Sequence, residues 1–319
     1  MHIHLFYEFG EEFDKTFISL IPPEVKITVG AELKGVGEYE ILVGAFRDDK
    51  YFKHSKKLHT LIIPWAGVPK MTAEILRENY THINVQNLHH NSQATAEMAI
   101  TLMLSTMKRI PIIDADFRKS DWSRRYKTQP IQLTKGKRAV VVGFGAIGKK
   151  IANMCKAFGM DVSIIKRSHA DAVNFYTPDR LSEVLLKADC LLLAVPSTPD
   201  TRGMLTAKEL ALIPDDAVII NIARADIIDE KALFNELQSG RLRAGLDVWY
   251  NYPKGEEEYK STDPSQFPFG ELENVVMTPH LAGDSIDNEI LRAEALAKLI
   301  NQAYNNEPME NKVDLGLGY

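Results

Sequence analysis

Gly143-Phe144-Gly145-Ala146-Ile147-Gly148 is the stretch that decides the fold of this chain. It follows the apolar run Arg138-Ala139-Val140-Val141-Val142 and opens Lys149 to Phe158, which reads as an amphipathic helix. Strand, glycine turn and helix is the setting in which G-x-G-x-x-G means dinucleotide binding. The first glycine permits a tight turn, and the second lets backbone approach a pyrophosphate. The third lets helix pack on strand, with the helix N-terminus facing the phosphate charge. A structural turn alone is the plainer alternative.

Working outward, 319 residues predict about two domains. A hydrophobic share of 45% and a charged share of 25% fit a globular chain. A net charge of −5 argues against a nucleic-acid binder, which shows a basic face. The two cysteines, Cys155 and Cys190, sit in apolar runs and read as buried reduced thiols, which suits the cytoplasm. Neither a signal-peptide pattern nor an apolar run of spanning length is present in the sequence, so no membrane partner is expected.

Before the glycine turn, short apolar runs alternate with amphipathic stretches. Strands are predicted at 3–7, 25–29, 41–45, 60–64 and 83–85, with helices at 13–20, 71–78 and, more weakly, 49–54. A long helix is predicted over 91–108. Residues 114–137 read as a polar surface excursion. From the glycine turn onward, six strands are expected at 139–142, 162–165, 190–195, 217–221, 243–246 and 275–277, and helices at 147–158, 181–187, 207–212, 230–239 and 286–305. Alternating strands and helices predict two α/β doubly wound parallel sheets. A dinucleotide domain that begins after residue 90 leaves the N-terminus to a separate substrate lobe. The expected division is 1–92 plus 287–319 for that lobe and 93–286 for the nucleotide domain. The active site of such a chain is expected in a cleft between domains.

The second strand of the nucleotide unit ends Ile165-Lys166-Arg167-Ser168, with Lys166 23 positions after Gly143. The carboxylate that selects NAD belongs near this place. Two cations and a hydroxyl stand there instead, a set that suits the 2′-phosphate of NADP, although NAD remains possible. Losing the carboxylate also removes a repulsion. A solvated basic turn is the alternative.

Three later segments carry chemistry: Asn221-Ile222-Ala223-Arg224-Ala225-Asp226, Ala244-Gly245-Leu246-Asp247-Val248-Trp249 and Thr278-Pro279-His280-Leu281-Ala282-Gly283. With the glycine turn, the loop Pro196-Ser197-Thr198-Pro199-Asp200-Thr201, the Ala66-Gly67-Val68 turn and Asn91 through Glu97, they resemble the D-isomer-specific 2-hydroxyacid dehydrogenase family over nearly the whole chain. The resemblance implies a Rossmann cofactor domain inserted into a flavodoxin-like substrate domain, a homodimer built around the region after the 91–108 helix, and hinge closure.

It also implies roles. Arg224 holds the carboxylate of a small 2-oxo acid and polarises the neighbouring carbonyl, work suited to a guanidinium fork. His280 is the acid/base, being the side chain that titrates near neutrality. Asp247 holds the nicotinamide amide. The cofactor lies along Gly143 to Gly148, Lys166 to Ser168, Pro196, Thr201 and Ala223. Substrate meets Trp65, Ala66, Gly67, Val68, Asn91 and Arg224. The competing readings are that Arg224 pairs with Asp226 or Asp229, and that His280 is a core histidine.

One departure matters. The family's pattern D-V-x-x-x-E-P places a glutamate five positions after the aspartate, and this chain has Tyr252 there, in Asp247-Val248-Trp249-Tyr250-Asn251-Tyr252-Pro253. A phenol can hold the His280 ring but lends no charge to an imidazolium, so His280 is expected to titrate lower than in glutamate-bearing relatives. A carboxylate folding back from Glu256-Glu257-Glu258 is the alternative. Trp65, Trp249, Tyr250 and Tyr252 can form an aromatic pocket wall, or serve as core or interface residues. Leu88-His89-His90 has no metal-ligand spacing. The missing glutamate also admits a non-catalytic dinucleotide-sensing protein on the same fold. Oxidation of formate or phosphite is a third option that no segment favours.

Overall fold

The computed structural model describes residues 1–33, 35–127, 130–168 and 172–316. The chain forms two compact units: Met1–Asn91 with Asp284–Tyr319, and Ser92–Gly283.

The first unit is built on β1 (His2–Leu5), β2 (Lys26–Val29), β3 (Ile41–Val43), β4 (Thr60–Ile63) and β5 (Asn84–Asn87). Their order is β2-β1-β3-β4-β5 and every pairing is parallel. This is the flavodoxin-like winding. Strands β3 and β4 are buried at every position, which is why they read as unbroken apolar runs rather than alternating ones. The helices are α1 (Glu11–Leu20), α2 (Lys50–His54) and α3 (Lys70–Asn79). Phe13 and Phe17, one turn apart on α1, pack with Ala293, Leu296, Ala297 and Ile300 of the chain's last helix, Asn288–Tyr304.

The second unit opens with α4 (Ser92–Lys108) and α5 (Ile110–Phe117), followed by β6 (Arg138–Val142), α6 (Ala146–Ala157), β7 (Asp161–Ile165), β8 (Phe175–Tyr176), α7 (Leu181–Leu185), β9 (Cys190–Leu193), α8 (Ala207–Leu212), β10 (Val218–Asn221), α9 (Glu230–Gln238), β11 (Arg243–Leu246) and β12 (Val275–Met277). The sheet runs β12-β11-β10-β9-β6-β7-β8, again all parallel. From β6 the chain winds outward through β7 and β8, then returns to lay β9 on the other side. Ligands of open α/β sheets gather at that reversal, outside the carboxyl ends of β6 and β9.

Two elements differ from the sequence expectation. Strand β8 is a seventh strand, missed because two residues carry no periodicity. Part of the expected surface excursion is helix: α5 starts with Pro111 in its first turn and buries none of its residues, so no buried face marks it in the sequence. Both cysteine thiols are buried and free. Among the described residues, no helix is long and apolar enough to cross a membrane.

Candidate active site

The glycine turn sits where β6 ends. Gly143 has φ +99°, and a Cβ there would run into the Ala194 carbonyl that follows β9. A Cβ on Gly148 would run into the Gly143 carbonyl, so this glycine lets α6 close on its strand. Gly145 is different. It precedes α6 with φ −77° and ψ −160°, and a Cβ there meets nothing within 4 Å. Protein packing requires glycine at 143 and 148 and does not at 145. The open space over Gly145, ahead of the first α6 amides, fits a pyrophosphate.

Where β7 ends, the Lys166 ammonium lies 5.2 Å from the centroid of the Phe175 ring. Phe175 meets the Phe144 ring edge-on at 5.2 Å, and Lys149 lies 5.8 Å from that ring's centroid. Arg167 and Ser168 are exposed. The loop after β9 is held by Thr201, whose hydroxyl donates to the Pro196 carbonyl at 2.6 Å and accepts from the Thr198 N–H at 2.8 Å.

Strand β10 delivers Arg224. Asn221, buried at the strand end, donates from Nδ2 to the Arg224 carbonyl at 2.9 Å and accepts from the Ala223 N–H at 3.0 Å. Buried Ala223 and Ala225 flank an exposed Arg224. Its guanidinium donates to the Ala223 carbonyl at 2.6 Å. Neither expected competitor takes it. Asp226 accepts from Ser197 Oγ at 2.7 Å and from Arg202 Nε at 3.1 Å, tying the β9 loop to the Arg224 segment. Asp229 caps α9 by accepting from the Ala232 N–H at 2.7 Å. Among the described residues, Arg224 has no carboxylate partner.

His280 is exposed and adopts φ +59°, a left-handed conformation rare for a residue with a Cβ, so its turn must be held from outside. Asp247 holds it. That side chain is fully buried after β11. Its Oδ1 accepts from Thr278 Oγ1 at 2.6 Å and from the Leu281 N–H at 2.9 Å, and its Oδ2 accepts from the Ala282 N–H at 2.9 Å. Asp247 anchors the residues on both sides of His280.

The phenol of Tyr252 lies 2.9 Å from His280 Nδ1 and accepts from the Trp249 N–H at 3.1 Å. Burial pushes the phenol above its usual range, opposed by the Trp249 amide and the Arg224 charge, so Tyr252 is neutral near pH 7. The acidic turn does not fold back to the ring from Glu258, whose carboxylate accepts from the Lys254 N–H at 2.8 Å. The aromatic wall is also reduced. Trp249 is core, packed near Phe269 and donating from Nε1 to the Thr278 carbonyl at 2.8 Å, and Tyr250 donates to the Ile228 carbonyl at 3.0 Å.

Arg224, Tyr252 and His280 thus come together at the carboxyl ends of β10, β11 and β12. The remaining candidates belong to the first unit. Trp65 stands 5.7 Å from Tyr7 between ring centroids, the Ala66 carbonyl accepts from Asn87 Nδ2 at 2.5 Å, Gly67 is exposed, Val68 is partly buried, and Asn91 precedes α4. Sequence reasoning missed Asn221 and Thr278. A polar residue ending an otherwise apolar strand was the available signal for Asn221.

The glycine turn thus lies at the winding reversal, with a cation and a histidine at neighbouring strand ends. Residues 100–282 match the family model described as D-isomer specific 2-hydroxyacid dehydrogenase, NAD binding domain. This is more than half of the chain, and the chain belongs to that family. It is 30% identical over 303 residues to a D-3-phosphoglycerate dehydrogenase of Archaeoglobus fulgidus, covering 92% of this chain and 55% of that protein. It is 31% identical over 273 residues to a glyoxylate/hydroxypyruvate reductase of Arabidopsis thaliana, covering 84% and 80%. The chain spans about half the length of the first relatives it matches. A solved D-isomer specific 2-hydroxyacid dehydrogenase of Xanthobacter autotrophicus Py2, in complex with NADPH and MES, superposes with a TM-score of 0.80 at 24% identity, covering 99% of each chain, a likeness of fold.

Proposed function

We propose that the protein is an NADP(H)-preferring oxidoreductase that interconverts small 2-oxo acids and D-2-hydroxy acids. The observation that carries this reading is the placement at neighbouring strand ends of an exposed Arg224, without a carboxylate partner among the described residues, and an exposed His280 held by Tyr252. Family membership and relatives named as glyoxylate reductases support it.

Gly145 and the first α6 amides would hold the dinucleotide pyrophosphate, and Lys166, Arg167 and Ser168 its 2′-phosphate. The bound nicotinamide supplies the hydride chemistry. Arg224 binds the substrate carboxylate and polarises the adjacent carbonyl by charge-assisted hydrogen bonds. His280 as imidazolium protonates the carbonyl oxygen, and as imidazole it takes that proton back in the reverse direction. Amides of Ala66, Gly67 and Val68 and the Asn91 side chain are proposed as further carboxylate donors. Asp247 positions the His280 turn and touches no reacting atom.

A homodimer is part of the proposal. Ile110, Phe117, Trp122 and Tyr126 are 52%, 53%, 58% and 81% exposed along and after α5, large apolar side chains that a partner copy would cover. Sedimentation as a monomer at micromolar concentration would reject that assembly.

The decisive assay follows NADPH and NADH oxidation on adding glyoxylate, hydroxypyruvate, pyruvate and bulkier 2-oxo acids. Turnover with NADPH preferred is expected, together with complete loss in His280→Gln. Tight NADPH binding with no turnover of any substrate would reject the enzyme reading in favour of a dinucleotide sensor.

A further inference from the structure

We infer that Tyr252 sets the tautomer of His280, so that the neutral imidazole carries its proton on Nε2 and receives a hydrogen bond at Nδ1. The argument is one of donors and acceptors. The Tyr252 oxygen already accepts from the Trp249 N–H at 3.1 Å, and His280 Nδ1 lies 2.9 Å away. A phenol has a single hydrogen, and a neutral imidazole has one donor and one acceptor. Giving the phenolic hydrogen to a bare Nδ1 satisfies all three groups at once. The reverse arrangement crowds two donors onto one phenolic oxygen and turns its hydrogen out to water. A carboxylate at the same place is acceptor-only. It would require Nδ1–H and would leave Nε2 bare in the neutral ring. Replacing glutamate by tyrosine therefore reverses the direction of this hydrogen bond as well as removing a charge.

The consequence rests on the acid–base role proposed for His280. Protonation of the ring places a hydrogen on Nδ1, so the phenol must swing from donor to acceptor each time His280 titrates. Tyr252 is 45% exposed. The neutral state gains a hydrogen bond and the charged state lacks a carboxylate, so the imidazolium form is confined to lower pH. Oxidation of a hydroxy acid needs a bare Nε2 and runs through the minority tautomer. Arg224 and Asp247 are charges acting on the Tyr252 phenol, and the Asp247 carboxylate is already shared among Thr278, Leu281 and Ala282. Tyr252 is thus a positioning residue whose effect is read in protons.

The test is a long-range 1H–15N spectrum of the 15N-histidine-labelled full chain, with His280 assigned by its loss in His280→Gln. Above the titration midpoint, wild type is expected as the Nε2–H tautomer and Tyr252→Glu as Nδ1–H. The midpoint should rise by about one to two pH units in Tyr252→Glu, the shift an adjacent opposite charge brings. Tyr252→Phe, which keeps the ring and loses the hydroxyl, should show both tautomers. The falling limb of 2-oxo acid reduction should move with the NMR midpoint. A wild-type Nδ1–H tautomer, or equal midpoints in wild type and Tyr252→Glu, overturns the inference. The spectrum needs no substrate, so an Nε2–H tautomer in a protein that reduces no 2-oxo acid would reject the proposed function and leave the tautomer assignment standing.

Discussion

Alanine at position 145 should separate binding from folding. A Cβ at Gly145 meets no protein atom within 4 Å, and the backbone there, φ −77° and ψ −160°, is open to any L-residue. Restricting the unfolded chain contributes about 0.4–1 kcal/mol in favour of the variant. Replacing glycine at the position before a helix costs a few tenths to about 1 kcal/mol. The two offset, and Gly145→Ala should melt within about 2 °C of wild type. The methyl nevertheless fills the space proposed for the pyrophosphate. Losing one charge-assisted contact there costs about 2–3 kcal/mol, roughly 30- to 150-fold in Kd. Gly148→Ala is the control. Its Cβ collides with the Gly143 carbonyl, a backbone atom that cannot swing aside, and the overpacking costs about 3 kcal/mol. A unit of this size loses about 2–4 °C per kcal/mol, so that variant should melt roughly 6–12 °C lower. Thermal melts and NADPH fluorescence titrations on both variants make the comparison. Wild-type NADPH affinity in Gly145→Ala would refute the pyrophosphate placement, and a melt as low as that of Gly148→Ala would refute the packing argument.

Asp247→Asn should turn an amide donor toward the buried Ala282 N–H, costing about 2–3 kcal/mol and raising hydrogen exchange at Leu281 and Ala282 by roughly 30- to 150-fold; unchanged exchange would remove the anchor role. Lys166→Ala combined with Arg167→Ala should raise the KM for NADPH by roughly 10- to 100-fold while leaving that for NADH within about twofold, and a parallel rise for both cofactors would contradict 2′-phosphate recognition. His90 is pushed down to about 4 by burial, then by the Arg292 and His89 charges, and neither ring nitrogen has a hydrogen-bond partner among the described residues. Its folded pKa lies below the unfolded value of about 6.5, so the unfolded chain binds the proton first and stability falls as pH drops from about 6.5 to 4. After allowance for partial solvent access the loss is about 2 kcal/mol, and urea titrations of His90→Gln should show a flatter acid limb than wild type.

Most of the frame was legible in the chain. The runs Ala139–Val142, Cys190–Leu193 and Val218–Asn221 are buried at every position, and continuous apolar runs of that length between amphipathic helices leave little choice but a covered parallel sheet. Strand β8 and helix α5 were not legible, because two edge residues have no period and a helix with no buried face has no stripe. Arg224, His280 and Tyr252 become candidates only through resemblance to the family's pattern, and the fold brings them to neighbouring strand ends. The work of Asp247 could not be picked out, since an aspartate after a strand reads alike whether it faces a ligand or its own chain.

The sequence by itself determined the two parallel sheets, the glycine turn and the cation-bearing end of β7. These are local matters: burial periodicity, the space a Cβ needs and the charge of neighbouring side chains act within a few residues. Only the tertiary structure decided which glycine has open space over it, which acidic groups are unavailable to Arg224, and that Tyr252 meets His280. Each of those depends on atoms far apart in the chain. The Gly143 turn abuts the loop after β9, Asp226 is taken by Ser197 and Arg202, and Tyr252 reaches across 28 positions to the ring it holds. Hydrogen bonds and steric contacts extend over a few ångströms, so only folding determines which side chains share them.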